Sequence, residues 1–403
     1  MTAFAAPRFM IQIRKKSGGN TMLKQVLAAV ALTGMVTAAQ AQTVNVTVIT
    51  TLSGPQAALG EQIRDGFQLA VDQMGGKLGG LPVKLTVIDD ELKPDVAVTK
   101  IRGLLESGHQ DFVVGPVFSV VKAAIFKPIT DAGVFLISPN AGLSTFAGKA
   151  CNKNLFVTSY QNDQPHSVSG QYATEKGYKR AFIIAPNYQA GRDALTGFKS
   201  RFKGEVVAED YVPLNQMDMQ SEIAKIADAK PDVVFVFLPG GLGINFVKQY
   251  RQAGLTTIPV LSTFTVDEST LPAEGDAAIG FYSGTNWAPN MDNPTNKAFV
   301  AAFEKKYNYV PATYAAQVYD TAMLIDSAVK SAGLDHDKLQ KALEKADFAS
   351  VRGSFKFGTN HYPVQDFYLA QVAKRPDGKL QTEIRSKVLT QDVDTYAAEC
   401  HMQ

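Results

Sequence analysis

The stretch VVGPVFSVVKAAIFKPITDAGVFLISPNAG, from Val113 to Gly142, decides the fold. An apolar strand ends in a turn, a helix follows over residues 119–131, and the strand GVFLIS ends in a second turn. Successive strands joined through a helix run parallel in one sheet. Both turns, which carry small and polar residues, are therefore predicted to lie at the same edge of that sheet.

The same alternation of strand and helix continues along the chain in two series. The first series begins at Val44, and the second begins with RAFIIAP and contains the very apolar strand PDVVFVFLP. Two strong helices, over residues 293–308 and 313–333, follow the second series. Strands separated by helices of roughly 10–15 residues indicate βαβ units. We therefore predict an α/β fold with two Rossmann-like lobes and parallel sheets.

The N-terminal segment predicts an export signal that is removed from the mature protein. An apolar run follows Lys24, and the small residues of AQA, 39–41, form a cleavage site. We expect cleavage before Gln42 and a periplasmic location. Residues 1–21 are either a long n-region or an overextended gene start, with Met22 as the initiator. The apolar run is too short to span a bilayer.

The charge of the chain argues against polyanionic partners. The 403 residues carry a formal net charge of +2, and removal of the export signal takes away five basic residues and no acidic ones, which leaves −3. A mildly acidic protein is a poor binder of nucleic acids and anionic membranes. We therefore expect no nucleic-acid partner. We also expect a monomer.

Two cysteines, Cys151 and Cys400, predict a disulfide because the chain is exported. The bond would tie a C-terminal tail, residues 391–403, to the body of the protein and stabilise it by ~2–4 kcal/mol. The alternative is a catalytic cysteine, but no histidine-containing signature accompanies either residue.

No motif for reaction chemistry is found in the sequence. The five histidines form no HExxH pair, and there is no GxSxG elbow and no P-loop. PGGLGINF, 239–246, lacks the third glycine of a dinucleotide-binding turn, so a tight turn is the simpler interpretation. VIDDEL, 87–92, is either a cation site or a solvated strand end. We predict no catalytic residue, no metal and no cofactor.

Hydrogen-bond donors at the strand ends predict a site for a carboxylate instead. Ser119 lies at a helix N-terminus, where unsatisfied amides favour an anion. The amides of Ala141 and Gly142 follow the neighbouring strand. A role of Ser119 as a helix N-cap is the alternative. Aromatic residues at strand ends and in loops would form the apolar lining of a small-molecule cleft: Phe118, Tyr160, Tyr188, Phe264, Trp287 and Tyr314.

Several stretches, in this order along the chain, resemble the leucine/isoleucine/valine-binding family of exported solute-binding proteins, which serve ABC importers. They are TLSGPQAALGEQIRDGFQLAVDQM, VVGPVFSVVKAAI, GVFLISPNAG, IIAPNYQAGRDAL, KPDVVFVFLPG and QYRQAGL, and the similarity covers about residues 44–372. The resemblance implies the type I periplasmic-binding fold, with two lobes joined by a three-segment hinge, and an inner-membrane permease as partner. The implied lobes are 43–160 with 287–363, and 161–286 with 364–390.

The resemblance also implies roles for single residues. Ser119 matches the serine that holds the ligand carboxylate in this family. Gly142 stands where amino-acid binders usually carry Thr, and Ala190 stands where they carry Tyr. The acid that meets the ligand ammonium in amino-acid binders falls on or beside Phe264, with Asp267 three residues further on.

These departures favour a benzoate-like aromatic carboxylate over an amino acid, because a buried ammonium without a counter-charge costs several kcal/mol. Branched-chain amino acids, with Asp267 as the counter-charge, are the first alternative. An exported enzyme or a sensor domain is the second. The expected ligand-binding residues are Phe118, Ser119, Asn140, Ala141, Gly142, Tyr160, Asn187, Tyr188, Ala190, Pro239, Phe264 and Tyr314.

Overall fold

The computed structural model describes Met10, Gln12 and residues 42–402. Apart from those two isolated positions, the expected export signal, its cleavage site and the overextended start lie outside the described residues. None of the helices in the described part of the chain combines the length and the apolarity that crossing a membrane requires.

The first lobe is built on a sheet of short, apolar strands: β1 (Val44–Thr50), β2 (Lys77–Leu78), β3 (Leu81–Asp89), β4 (Phe112–Val114), β5 (Phe135–Ser138) and β6 (Leu155–Val157). Their order is β2-β3-β1-β4-β5-β6. Neighbours run parallel except β2 and β3, which form a hairpin. The central strands are buried on both faces, as in a parallel sheet covered by helices on each side.

The second lobe is built on a larger sheet: β7 (Arg180–Pro186), β8 (Glu205–Val212), β9 (Val233–Val236), β10 (Val260–Ser262), β11 (Tyr282–Thr285), β12 (Lys356–Phe357), β13 (Pro363–Lys374) and β14 (Leu380–Asp392). The order is β12-β13-β11-β10-β9-β7-β8, and β14 pairs with β13. Strands β7 to β11 are parallel, as predicted. The edge formed by β12, β13 and β14 is antiparallel. A tight turn at Gly378 (φ +85°) joins β13 directly to β14, which makes that pair a hairpin.

Helices cover both sheets: α1 (Ala57–Gln73), α2 (Pro94–Ser107), α3 (Ser119–Asp131), α4 (Ser144–Ala147), α5 (Asp163–Glu175), α6 (Gln189–Arg201), α7 (Gln220–Ala229), α8 (Gly241–Gln252), α9 (Leu271–Glu274), α10 (Pro294–Tyr307), α11 (Thr313–Ala332) and α12 (His336–Lys345). Helix α11 returns to the first lobe and packs against α1. Their backbones approach closely because α1 carries Gly66, where a Cβ atom would lie 2.6 Å from the Ala315 carbonyl oxygen.

The chain crosses between the lobes three times, between β6 and α5, between β11 and α10, and between α12 and β13. The crossings converge on the Ser159 carbonyl oxygen, which accepts hydrogen bonds from Asn286 Nδ2 (3.0 Å), Gln365 Nε2 (2.6 Å) and Arg352 Nη1 (3.2 Å). Arg352 is itself fixed by the buried carboxylate of Asp320 at 2.9 Å. The predicted two-lobed α/β fold is confirmed, while the boundaries after residues 160, 286 and 363 stay a prediction.

The predicted disulfide joins Cys151 to Cys400, with 5.6 Å between the two Cα atoms. Hydrogen bonds also hold the tail, among them the following two. Asn360 Nδ2 donates to the Asp394 carboxylate at 2.5 Å, and the Tyr396 hydroxyl donates to the carboxylate of Asp163 at 2.8 Å. The tail is therefore fixed to the loop after β12 and to the start of α5.

Candidate ligand-binding site

A cavity lies between the lobes, where the strands of both sheets present their carboxyl ends. The volume of the cavity is only about 20 Å³, because side chains fill most of the space. Ten of the predicted ligand-binding residues line it: Phe118, Ser119, Asn140, Ala141, Tyr160, Tyr188, Ala190, Pro239, Phe264 and Tyr314. The structure therefore brings residues from several distant parts of the sequence together on one small cavity.

Ser119 supplies a hydroxyl at one end of the cavity. It is the first residue of α3 and is 2% exposed. Its Oγ accepts a long bond from Asn162 Nδ2 at 3.5 Å, and its proton has no acceptor among residues 42–402. The N-cap alternative is wrong, because Phe118 occupies the cap position and no side chain caps this helix. The Ser119 hydroxyl is thus available to donate to an anion.

Gly142 does not line the cavity, and its amide does not point to a ligand. That amide donates to Asn162 Oδ1 at 2.9 Å, and the Gly142 carbonyl accepts from the Asn162 amide at 2.7 Å. A Cβ atom at Gly142 would lie 1.8 Å from the Tyr160 carbonyl oxygen. The glycine therefore allows two loops to approach closely, and the Thr found in amino-acid binders would not fit this backbone.

Asn187 also lies outside the cavity, contrary to the expectation. It is exposed, its amide donates to the Val212 carbonyl at 2.8 Å, and its side chain accepts from Arg192 at 3.2 Å. Trp287, another candidate for the cleft lining, belongs to the core, where its indole nitrogen donates to Asn296 Oδ1 at 2.7 Å.

Aromatic rings from both lobes form the walls of the cavity. Tyr160 and Phe264 stack with 5.0 Å between ring centroids and an interplanar angle of 18°, and Tyr314 follows at 6.1 Å from Phe264. Phe118 of the first lobe meets Tyr188 of the second at 6.4 Å. Flat apolar walls of this kind suit an aromatic ligand, which stacks against rings at such spacings.

The backbone of Phe264 is strained at this wall. Its φ of +54° lies in the left-handed region, which bulky residues rarely adopt. Such strain persists only where the surrounding structure fixes it, and it concentrates at functional sites. The ring of Phe264 is therefore held in the cavity at a cost in free energy.

Asn140 organises the neighbouring wall. Its Oδ1 accepts from the Tyr160 hydroxyl at 2.7 Å, and its Nδ2 donates to the Val117 carbonyl at 2.6 Å. Burial raises the pKa values of the Tyr160 and Tyr314 phenols well above their usual range. Both phenols are therefore neutral and do not repel an anion, although the Tyr160 hydroxyl already donates its proton to Asn140.

His166 lines the cavity and was not predicted. It is 2% exposed and packs edge-on against Phe237, with 4.8 Å between ring centroids. Its Nδ1 is buried without a hydrogen-bond partner. Burial lowers the pKa of His166 to about 3, so the ring is neutral at physiological pH. The other unpredicted lining residues are Leu59, Val117, Asn162 and Phe237.

No acidic side chain lines the cavity in the described part of the chain. Asp267 lies behind the wall, where its Oδ1 accepts from the amide of Ser269 at 2.8 Å and from the hydroxyl of the same residue. Its Oδ2 is buried without a partner, and burial raises the pKa of Asp267 to about 6. The cavity walls thus offer a donor to an anion and no carboxylate to a cation.

The glycine-rich turn of PGGLGINF joins the lobes and does not form a dinucleotide-binding fingerprint. Gly240 has a φ of +61°, and a Cβ atom there would lie 1.8 Å from Gln56 Oε1 of the first lobe. The Gly241 amide donates to the same oxygen at 3.1 Å. The absence of side chains on this turn lets the two lobes meet directly beside the cavity.

The similar solved structures include two that cover most of this chain. The solute-binding protein of an ABC transporter from R. palustris in complex with benzoate is 34% identical, covers 89% of this chain and 99% of its own, and has a TM-score of 0.84. A second R. palustris solute-binding protein, in complex with 4-hydroxybenzoate, is 29% identical, covers 87% and 98%, and has a TM-score of 0.80.

Curated relatives are also similar in sequence over most of the chain. Leu/Ile/Val-binding protein homolog 6 of Brucella melitensis is 29% identical over 89% of this chain and 95% of its own length. The leucine-, isoleucine-, valine-, threonine- and alanine-binding protein of Pseudomonas aeruginosa is 25% identical over 84% and 92%. The family model for periplasmic binding proteins matches residues 43–379. The chain therefore belongs to the periplasmic binding protein family.

Proposed function

We propose that the protein is the periplasmic solute-binding component of an ABC importer and that its ligand is a small aromatic carboxylate such as benzoate or a hydroxybenzoate. The observation that carries the proposal is the composition of the cavity, which joins aromatic walls to the hydroxyl of Ser119 and, within residues 42–402, has no acidic side chain in its lining. The benzoate and 4-hydroxybenzoate complexes of the similar R. palustris proteins support it.

In the proposed complex, the ligand carboxylate accepts a hydrogen bond from Ser119 and lies beside the first turn of α3. Bonds to a charged acceptor are stronger than neutral ones. The ligand ring packs between Phe118 and the pair Tyr160–Phe264, where each aromatic contact contributes about 0.5–1.5 kcal/mol beyond area burial. On the opposite lobe, His166 faces the ring with a neutral imidazole.

The narrowness of the cavity implies that the lobes open to admit the ligand. The structure is closed, since Gly241 of one lobe bonds Gln56 of the other and the rings of both lobes touch. Rotation about the three crossings would separate them, and the ligand would then favour closure. The closed complex is the form delivered to the permease, with the ligand chemically unchanged.

Branched-chain amino acids remain the second candidate, and the names of the Brucella and Pseudomonas relatives favour it. In that case Asp267 would have to turn its unpartnered Oδ2 into the cavity and meet the ligand ammonium. The two candidates share the Ser119–carboxylate contact and differ in the role of Asp267.

Titration of the mature protein, stripped of co-purifying ligand, with benzoate, 4-hydroxybenzoate, leucine, isoleucine and valine tests the proposal. We expect the aromatic acids to raise the melting temperature, because a ligand at 100 times its Kd stabilises the native state by about 2.7 kcal/mol. Calorimetry then gives the Kd values. Thermal shifts with the amino acids alone would overturn the ligand class.

Two variants separate the candidates further. We expect Ser119→Ala to weaken benzoate binding by about tenfold or more, since a hydrogen bond to a charged group is worth about 1.5–3 kcal/mol. Asp267→Asn is expected to leave benzoate binding unchanged. Loss of leucine binding in Asp267→Asn, with leucine binding present in the native protein, would instead establish the second candidate.

A further inference from the structure

Lys122 is buried directly behind the anion-binding end of the cavity. It lies one turn after Ser119 on α3 and is 0% exposed. Its Nζ donates to the Ala141 carbonyl oxygen at 2.7 Å and lies 5.8 Å and 5.7 Å from the ring centroids of Phe146 and Tyr362. Across residues 42–402, no carboxylate forms an ion pair with it.

A lysine buried in this way is costly. Removal of an ammonium from water without a counter-charge costs several kcal/mol, and the two aromatic rings offset only part of that cost. Burial accordingly lowers the pKa of Lys122 well below its usual value. An anion close to the site would reverse this effect, and the proposed ligand carries one.

A chain of hydrogen bonds connects Lys122 to the hydroxyl of Ser119. The Ala141–Gly142 peptide accepts from Nζ at its carbonyl and donates from its amide to Asn162 Oδ1 at 2.9 Å. Asn162 Nδ2 in turn donates to Ser119 Oγ at 3.5 Å. Asn162 Nδ2 also donates to the Asp193 carboxylate, at 2.8 Å. Along the path from the ammonium to the serine the donors point the same way, so their dipoles add and polarise one another.

We propose that Lys122 is the positioning residue for the negative charge of the ligand. It does not touch the ligand, but its ammonium makes the electrostatic potential at Ser119 favourable to a carboxylate through the Ala141–Gly142 peptide. The inference rests on the proposed function only in requiring that the ligand headgroup is a carboxylate. It implies that the site distinguishes a carboxylate from a neutral amide of the same shape.

The other titratable groups around Lys122 do not supply this charge balance. The phenol of Tyr362 is kept neutral by burial and donates to the Leu143 carbonyl at 2.9 Å. Asp193 and Asp394 help to raise the pKa of that phenol, but neither forms an ion pair with Lys122, and burial alone accounts for the lowered pKa of the lysine. The bound carboxylate would then supply the negative charge that balances the ammonium.

The test compares benzoate with benzamide in Lys122→Met, which keeps the length of the side chain and removes its charge. Lys127→Met is the matched control, because Lys127 lies on the same helix but is exposed and pairs with Asp131. We expect Lys122→Met to weaken benzoate at least about tenfold more than benzamide, as for loss of an interaction with a charged group. Lys127→Met should change neither Kd.

Equal weakening of both ligands, or no weakening, would show that Lys122 is only structural. If Lys122→Met does not fold, Lys122→Gln keeps a donor for Ala141 without the charge. NMR of isotope-labelled lysine in the native complex needs no variant: a charged ammonium supports the inference, and a neutral amine overturns it.

Failure of the proposed function is a separate outcome. If the native protein binds leucine and not aromatic acids, the same variants are compared with leucine and leucinamide. The expected preference for the carboxylate, and its loss in Lys122→Met, are then the same. A preference that survives the loss of Lys122 would overturn the inference with either class of ligand.

Discussion

His166 is a polar ring on the second-lobe side of the cavity. The structure leaves its Nδ1 without a partner, and an unsatisfied buried polar atom costs about 1–3 kcal/mol. A ligand hydroxyl that reached the imidazole would recover this cost, while an unsubstituted ring would not. His166 is therefore placed to distinguish hydroxybenzoates from benzoate.

We expect His166→Phe to weaken 4-hydroxybenzoate by about 5- to 30-fold relative to benzoate, which corresponds to one hydrogen bond of ~1–2 kcal/mol. Benzoate serves as the internal control, because it has no hydroxyl to lose. Calorimetric Kd values for the two ligands measure the effect. An unchanged ratio of the two constants would mean that the imidazole only packs.

At the scale of residues, the sequence predicts those parts of the site that follow parallel strands. Ser119 and Ala141 could be placed because the carboxyl ends of such strands meet at one edge. His166 could not, since it lies inside α5 without a turn signal. Lys122 could not either, because a lysine on a helix is normally solvated. Whether such a residue is buried depends on the packing of loops distant in sequence.

Among the elements, the glycine turn before α8 makes the contact that closes the cavity. Gly240 combines a positive φ with a close approach to Gln56, and no other residue type satisfies both requirements. The turn contributes directly to the stability of the closed form. Ligand affinity includes that contribution, because the ligand binds between closed lobes.

We expect Gly240→Ala to weaken ligand binding by about tenfold or more, because the added Cβ atom would clash with Gln56 of the other lobe only in the closed form. Gly254→Ala is the matched control: Gly254 has a φ of +73°, but a Cβ atom there would meet nothing within 4 Å. Both should lower the melting temperature. Equal Kd values for the two variants would contradict a role of this contact in closure.

The sequence predicts most elements well, because their periodicity is strong. Helix α3 begins and ends at the predicted residues, 119 and 131, and strand β7 has the bounds of the predicted strand RAFIIAP. Strand β14 was not predicted, since LQTEIRSKVLTQD is polar on one face and lies at an edge. An antiparallel partner of this kind is determined by the turn that precedes it and by tertiary pairing.

Across the whole molecule, buried acids behind the second-lobe wall make stability depend on pH. Burial is the largest cause that raises the pKa of Glu268 to about 7, and the neighbouring charge of Asp267 adds to it. One carboxyl oxygen accepts from the amide and hydroxyl of Thr382 on β14, both at 2.7 Å, and the other has no partner. The folded protein therefore holds this proton more tightly than the unfolded chain.

Because the pKa of Glu268 is raised in the folded protein, its contribution to stability decreases as the pH rises. The stabilisation by Glu268 is fully present below the unfolded pKa of about 4.5 and is lost as the pH rises through about 7. Its full size is of the order of 3 kcal/mol. We expect Glu268→Gln, which keeps the shape and a neutral group, to flatten this fall in the free energy of unfolding. Urea titrations at several pH values measure it, and parallel native and variant profiles would be inconsistent with the assignment.

The bond between Cys151 and Cys400 has a mechanical consequence. Tension applied to residues 42 and 402 would pass through the sulfur bridge, so the 249-residue separation that it spans would carry no load. The second sheet, the glycine turn and all three hinge crossings lie inside this covalent ring. Pulling would extend the segment before Cys151, which carries strands β1 to β5 of the first lobe. The ring from Cys151 to Cys400 would keep its length.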